Sequence, residues 1–256
     1  MSQEQFEIEV PNVSEAAQQK LEDATGDKKV RLLRFVAAQT AEYLDIVREQ
    51  VKDVENFWPF ALLAHVVIKQ AASVKADRQA LTYLTNVELI QDPKDPRPFE
   101  IVFHFKENPY FTNSTLSKKY TLAEGTAKAS GDDITREMRE FDNEDLKISS
   151  MEIDWKDNLC EKYPRKKFEG NQDEFDGDFG SFFHYFTDAS DPFSIGIVLQ
   201  QDLLPDVYDY FKGIGDNCEN DEDFDEEDDE LDEEDELDDE EIDLEEPKPK
   251  KKQRTQ

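Results

Sequence analysis

Apolar and polar residues recur along this chain with two different periods, and the change of period divides it. From Leu33 onward, apolar or small side chains fall at Leu33, Val36, Thr40, Tyr43, Val47, Val51 and Val54. Steps of three and four are the spacing of a helix seam. Leu44 widens the stripe, and Glu42, Asp45, Arg48, Glu49, Lys52 and Asp53 fill the opposite face. Upstream, Thr25-Gly26-Asp27 interrupts the pattern, because Gly is costly inside a helix and Asp is a good N-cap. The pattern therefore predicts a short helix over 14–24 and a long one from Asp27 to Phe57. Pro59 disfavours helical geometry at Trp58 and should end or kink it. A helix of that length, about 45 Å, exceeds the depth of a small domain. Its seam is expected to pair with a second copy of the chain, the alternative being burial against the chain's own domain.

A second helical stretch is expected over 60–75, carried by Leu62, Leu63, Val66, Val67 and Ile68, with Asp77 capping a short turn through Leu81. His65 lies in that stretch with no second ligand or base near it in sequence, which reads as a structural histidine. The period then drops to two. Phe99, Ile101, Phe103 and Phe105 alternate with Glu100, Val102 and His104, the pattern of a half-buried strand. Further strands are expected at 83–90, 117–122 and 148–155. Residues 123–146 read as a polar loop or weak helix and 157–178 as a mobile insertion with few apolar anchors. Ser181–Thr187 is strongly aromatic, and residues 195–213 read as a helix pair split by Pro205. The fold class is α+β, an antiparallel sheet capped by helices and carried on a long helix.

Charge changes this picture at one end. Of 256 residues 63 are Asp or Glu and 30 are Lys or Arg, a formal net charge of −33, and mean hydropathy is −0.83. Residues 216–246 hold 23 acidic groups among 31 residues and no Lys or Arg. Their few apolar side chains cannot offset ordering entropy and self-repulsion, so a disordered acidic tail is expected. The remaining residues 247–256 carry Lys248, Lys250, Lys251, Lys252 and Arg254, a cluster of the kind that directs nuclear import. The chain thus divides into an N-terminal segment 1–26, a long helix 27–58, an α+β domain 59–215, the tail 216–246 and the basic tip 247–256.

The balance of charge excludes some functions and favours others. A net −33 opposes direct contact with a nucleic-acid backbone, which needs basic patches, and favours a cationic partner. No apolar run reaches the ~18 residues of a membrane span. The sequence Met-Ser-Gln-Glu-Gln-Phe-Glu lacks the basic-then-apolar order of a signal peptide, so synthesis in the cytosol is expected. Two cysteines, Cys160 and Cys218, cannot build a disulfide framework or a four-ligand zinc site. Gly213-Ile-Gly215 lacks the third Gly of a phosphate loop. Asp173–Gly177 fails as a calcium loop, because Gln172 and Phe183 stand where acidic ligands are needed. His65, His104 and His184 give no triad signature. The reading is a binding protein, not an enzyme, with no metal and no cofactor.

Several segments, in order, resemble one family. Asn56-Phe-Trp58, Leu81-Thr-Tyr-Leu-Thr-Asn-Val-Glu88, Glu107-Asn-Pro-Tyr-Phe111, Leu116-Ser-Lys-Lys-Tyr-Thr-Leu122, Ile153-Asp-Trp-Lys156 and Ser181-Phe-Phe-His-Tyr-Phe-Thr-Asp188 are similar to segments of nucleosome assembly proteins, in particular the SET-like (template-activating factor) subgroup of histone chaperones. The match covers roughly residues 27–212, and an acidic C-terminal tail is the family's other hallmark. The resemblance implies a headphone-shaped homodimer in which long helices pair and each end carries an α+β "earmuff" lobe. It implies a dimer interface at Leu33, Val36, Thr40, Tyr43, Leu44, Val47, Val51 and Val54. It also implies binding of core histones, the tetramer-forming pair, the dimer-forming pair or both, in a nuclear protein with a cytoplasmic pool. Candidate histone contacts are Asp188, Asp191, Asp202, Asp206 and Asp209 on the lobe and Asp221, Glu222, Asp223, Asp225, Glu226, Glu227, Asp228, Asp229 and Glu230 in the tail. The alternative is a regulatory protein that binds an enzyme, a phosphatase or a histone acetyltransferase, as SET-like proteins do.

Overall fold

The computed structural model describes residues 12–129, 131–165 and 179–218. Its first element is one helix, α1 (Glu15–Val51), of 37 residues and about 55 Å. This corrects the expected break at Gly26. Gly26 is buried inside the helix, and a Cβ there would stand 2.6 Å from Cβ and 2.8 Å from Cγ of Arg139. The glycine is spaced for a crossing side chain, not for a chain break. Asp27 is likewise no N-cap: it accepts from Arg139 Nε at 2.6 Å. The helix stops at Val51, short of the expected Phe57, and Asn56 turns the chain at φ 59°.

α2 (Phe57–Ala64) follows, with Pro59 in its first turn, where a missing N–H costs nothing. His65 then breaks the stretch that the sequence presents as one helix. Its backbone is extended, and its Nδ1 accepts from Val67 N at 3.1 Å, capping α3 (Val66–Ala71). With Nδ1 as acceptor, Nε2 carries the proton and donates to Asp202 at 3.0 Å. In α4 (Lys75–Leu81) the N-cap is Val74, not the expected Asp77.

The sheet is a meander of four antiparallel strands in chain order: β1 (Leu84–Asp92), β2 (Asp95–Phe105), β3 (Thr115–Leu122) and β4 (Leu146–Ile148). Only the first residues of the expected fourth strand pair with the sheet. Beyond it, Trp155 makes an isolated bridge to Phe111. Register places Val87 opposite Phe103, Ile101 opposite Lys118 and Phe103 opposite Leu116. This face is buried under the aromatic segment of α7 (His184–Thr187) and the residues before it. Phe103 meets Phe186 at 5.2 Å, and Phe183 meets Phe111 and Trp155 at 5.5 and 5.6 Å. Lys118 points into the same core. Its ammonium donates to the carbonyls of Asp188 and Ser190 and lies 5.5 Å from the Tyr185 ring. Burial pulls it down to about 8, against the pull of Asp191 and Asp188.

Residues 123–146, expected as loop or weak helix, are tied to α1 and the β1–β2 hairpin. Asp95 and Arg97 form a buried two-point ion pair (2.6 and 2.8 Å), and this pair also holds Ala127 O and Ala129 N. Burial raises the Asp95 carboxyl, and the Arg97 hydrogen bonds outweigh it and leave it low. From α1, Arg34 donates to the carbonyls of Asp132 and Asp133, beside α5 (Arg136–Arg139). The first part of the segment expected as a mobile insertion is built into the lobe. α6 (Leu159–Lys162) packs Leu159 into the core, and the remainder, 166–178, lies outside the described residues. The last elements among the described residues are α8 (Ile195–Val198), a π-turn over Leu199–Leu203 and α9 (Val207–Phe211).

Asp77 is fully buried and clamps the aromatic segment: Ser181 Oγ donates to Oδ1 at 2.7 Å and Phe182 N to Oδ2 at 2.6 Å. Burial pushes its carboxyl up to about 6, against the lowering effect of those bonds. A carboxyl raised on folding gives stability that is present at low pH and lost as pH rises through about 6. Asp77→Asn retains an acceptor for Phe182 N and does not titrate. The melting midpoint of the unaltered chain should therefore gain on that of Asp77→Asn as pH falls from 7 to 5. The gain over that window is about 1.4 kcal/mol, one pH unit of linkage below the raised value. A constant gap between the two melting curves would show that Asp77 does not titrate there.

Candidate functional site

The long helix has two apolar faces. Gly26, Val30, Ala37, Thr40, Leu44 and Val47 are buried within this chain, where α1 meets β1, β2 and α5. The seam read from the sequence falls largely on that side. Thr40, Leu44 and Val47 are inside the lobe, and Leu33, Val36, Tyr43 and Val51 are half-buried. Val54 is exposed and lies past the end of α1. Tyr43 Oη accepts from Tyr208 N at 3.1 Å, and burial raises its phenol. The seam expected to meet a second copy is therefore committed, at its centre, to the chain's own core.

The opposite face carries apolar residues that the sequence reading missed. Leu21, Leu32, Phe35 and Ile46 are each more than half exposed. With the exposed Thr25, Lys28, Gln39 and Glu42 they form an unbroken alternation of four- and three-residue steps. The row is palindromic about the peptide bond between Leu33 and Arg34: Leu21 mirrors Ile46, Thr25 mirrors Glu42, Lys28 mirrors Gln39 and Leu32 mirrors Phe35. The signal was present in the sequence but diluted. Four of the eight positions are polar, while the inward face is the denser stripe.

The five acidic candidates on the lobe divide in the same way. Asp191 is internal bracing: Oδ1 accepts from Ile195 N at 2.9 Å, and Oδ2 accepts from Gly196 N at 2.8 Å and Tyr120 Oη at 2.5 Å. Asp188 pairs with Arg165 at 2.8 Å. Asp202 sits in the π-turn and accepts from Tyr210 Oη (2.5 Å), His65 Nε2 (3.0 Å) and Asn217 Nδ2 (2.5 Å). Burial raises its carboxyl, and those three hydrogen bonds outweigh it and hold it low. These three carboxylates are engaged by the fold.

Asp206 and Asp209, at the start of α9, face outward with Asp216. Burial and the neighbouring charges of Asp209, Asp202 and Asp216 raise the Asp206 carboxyl, the mark of like charges held together. Among them stands an exposed aromatic ridge that the sequence reading did not single out. Phe60 and Ile214 are more than half exposed and Tyr208 is half exposed. Phe211 joins them, 5.6 Å from Phe60 and 6.2 Å from Tyr208, and is anchored inward by Phe57 at 4.7 Å. Lys212 is engaged by Asp209 at 2.6 Å and by the Tyr208 ring.

Burial pushes the Cys160 thiol up to about 11, which keeps it protonated at neutral pH. Among the described residues no three His, Cys, Asp or Glu side chains are grouped to hold a metal ion, and no helix is long and apolar enough to cross a membrane. The tail candidates Asp221–Glu230 and the basic tip Lys248–Arg254 lie outside the described residues.

Comparison with known proteins agrees with the resemblance. Protein SET of Drosophila melanogaster is 29% identical over 167 residues, 64% of this chain and 57% of that protein. NAP1-related protein 1 of Arabidopsis thaliana is 28% identical over 189 residues, 69% of this chain and 63% of that protein. The match thus spans less than two thirds of the length of these curated relatives. Among solved structures, the crystal structure of Ccp1 superposes with a TM-score of 0.54 at 25% identity, covering 78% of this chain and 97% of that one. The nucleosome assembly protein (NAP) family model matches residues 3–246, nearly the whole sequence, and the chain belongs to that family.

Proposed function

We propose that this protein is a non-enzymatic histone chaperone that acts in nucleosome assembly and disassembly as a homodimer. The observation that carries the reading is family membership over residues 3–246 together with 23 acidic groups in 216–246. Core histones are basic, and a −33 subunit, doubled in a dimer, attracts them over several kT. A chaperone must cover histone charge and still release it. Distributed, screenable charge suits that task better than a tight apolar pocket. The basic tip, through Lys248, Lys250, Lys251, Lys252 and Arg254, directs the protein to the nucleus. The nuclear fraction of a tagged chain with Lys250, Lys251 and Lys252 changed to Ala measures that role.

The dimer is proposed to form through the exposed row of α1, not through the seam read from the sequence. An antiparallel two-helix pairing sets each four-three position against its mirror image. Leu21 then meets Ile46 of the second copy and Leu32 meets Phe35, with polar layers between. The palindrome supports an antiparallel pair, since a parallel one would stack Lys28 on Lys28 and Glu42 on Glu42.

The experiment that tests the chaperone reading is a titration of core-histone complexes against the full chain and a chain lacking 216–246, at three salt concentrations. The shortened protein should bind more weakly, with a shallower salt dependence, and still bind through the lobe. If truncation abolishes binding, the lobe is no histone surface. If neither affinity nor slope changes, the acidic segment serves solubility alone.

A further inference from the structure

Phe60, Phe211 and Tyr208 form an exposed aromatic ridge, and Ile214, three residues after Phe211, is exposed as well. Exposed aromatic side chains this close together are an interaction surface by default. Asp206 and Asp209 stand at its side, so the surface offers apolar contact and negative charge together. We propose that it is a docking site for a Lys/Arg-rich segment that carries a large apolar side chain. The side chain covers the ridge and the flanking cations meet the two carboxylates. The proposal rests on the chaperone reading and adds to it that recognition is not by charge alone.

Charge complementarity selects this occupant. Asp209 is already paired with Lys212, but a neutral apolar partner would leave Asp206, which stands among Asp209, Asp202 and Asp216, partly desolvated without a counter-charge, which opposes binding. A purely polar cationic segment would leave the aromatic rings as they are. A second copy is the competing occupant, since Tyr208 is bonded to Tyr43 beside the exposed row of α1.

The test uses the full chain and two synthetic peptides of equal length and equal positive charge, one with two Leu residues and one with Ser in their place. The unaltered protein should bind the Leu peptide at least ~10-fold more tightly, the effect of covering one large apolar side chain. Phe60→Ser with Tyr208→Ser, both at exposed positions, should erase that preference and leave the salt dependence. Asp206→Asn with Asp209→Asn should keep the preference and make the salt dependence shallower for both peptides alike. Equal binding of both peptides by the unaltered protein overturns the proposal. So does a Phe60→Ser/Tyr208→Ser variant that sediments as a monomer, because the ridge is then part of the dimer contact. Failure of intact core histones to bind, with peptide preference retained, refutes the chaperone reading and leaves the docking site.

Discussion

Leu32→Asp combined with Phe35→Asp should convert the dimer to a folded monomer at micromolar concentration. Both positions are more than half exposed in the single chain, so charge there costs the lobe little. In the proposed antiparallel pair they would occupy the two-fold centre, with Leu32 of each copy against Phe35 of the other. The substitution removes four large side chains from the contact, each worth roughly 1.5–3 kcal/mol, and brings four carboxylates together without partners. Association should weaken by ~1,000-fold or more. Sedimentation gives the mass, and near-ultraviolet dichroism shows whether the lobe keeps its packing. The contrasting variant is Val47→Asp, on the face that the sequence presented as the seam. Val47 belongs to the core, so that change should unfold the lobe and not merely separate the copies. If Leu32→Asp/Phe35→Asp remains a dimer while Val47→Asp gives a folded monomer, the exposed row is not the interface.

Those two variants also mark what the sequence conveyed. The helix itself was legible, because three-four spacing over many turns has no other regular explanation. Which face points where was not. The denser stripe is the one a fold consumes first, so Thr40, Leu44 and Val47 went inward and the sparser row was left outside. Gly26 misled for a related reason. Propensity charges a glycine against the helix, but propensity is a weak prior against tertiary packing, and here the missing Cβ admits the Arg139 side chain. The β2 strand and its inward phenylalanines were legible, since period-two alternation fixes both element and face. Lys118 on that same inward face was not anticipated. A lysine reads as solvent-facing until the carbonyls of Asp188 and Ser190, some 70 residues away, are brought to its ammonium.

The acidic candidates pose the same difficulty in its sharpest form, because a sequence does not separate a carboxylate that braces the fold from one that meets a partner. Asp191 and Asp206 should come apart on mutation. Asp191→Ala leaves the almost wholly buried Tyr120 hydroxyl only the long contact to the Tyr185 hydroxyl at 3.5 Å, and strands the N–H groups of Ile195 and Gly196. Each lost bond to a carboxylate costs roughly 1.5–3 kcal/mol, so the melting midpoint should fall by about 10 °C or more for a domain of this size. Asp191→Asn keeps one acceptor oxygen and should recover part of the loss. Histone binding by whatever fraction stays folded at low temperature should keep its salt dependence, since that carboxylate is not offered to a partner. Asp206→Asn should show the opposite pair of effects. Its midpoint should hold or rise slightly, because it relieves repulsion from Asp209 and Asp216, while the salt slope of histone binding becomes shallower. Melting curves and three-salt titrations on the three variants decide the matter. A stable Asp191→Ala protein with a reduced salt slope would place Asp191 on the contact surface after all, and its bonds to Tyr120, Ile195 and Gly196 would then contribute little to the fold.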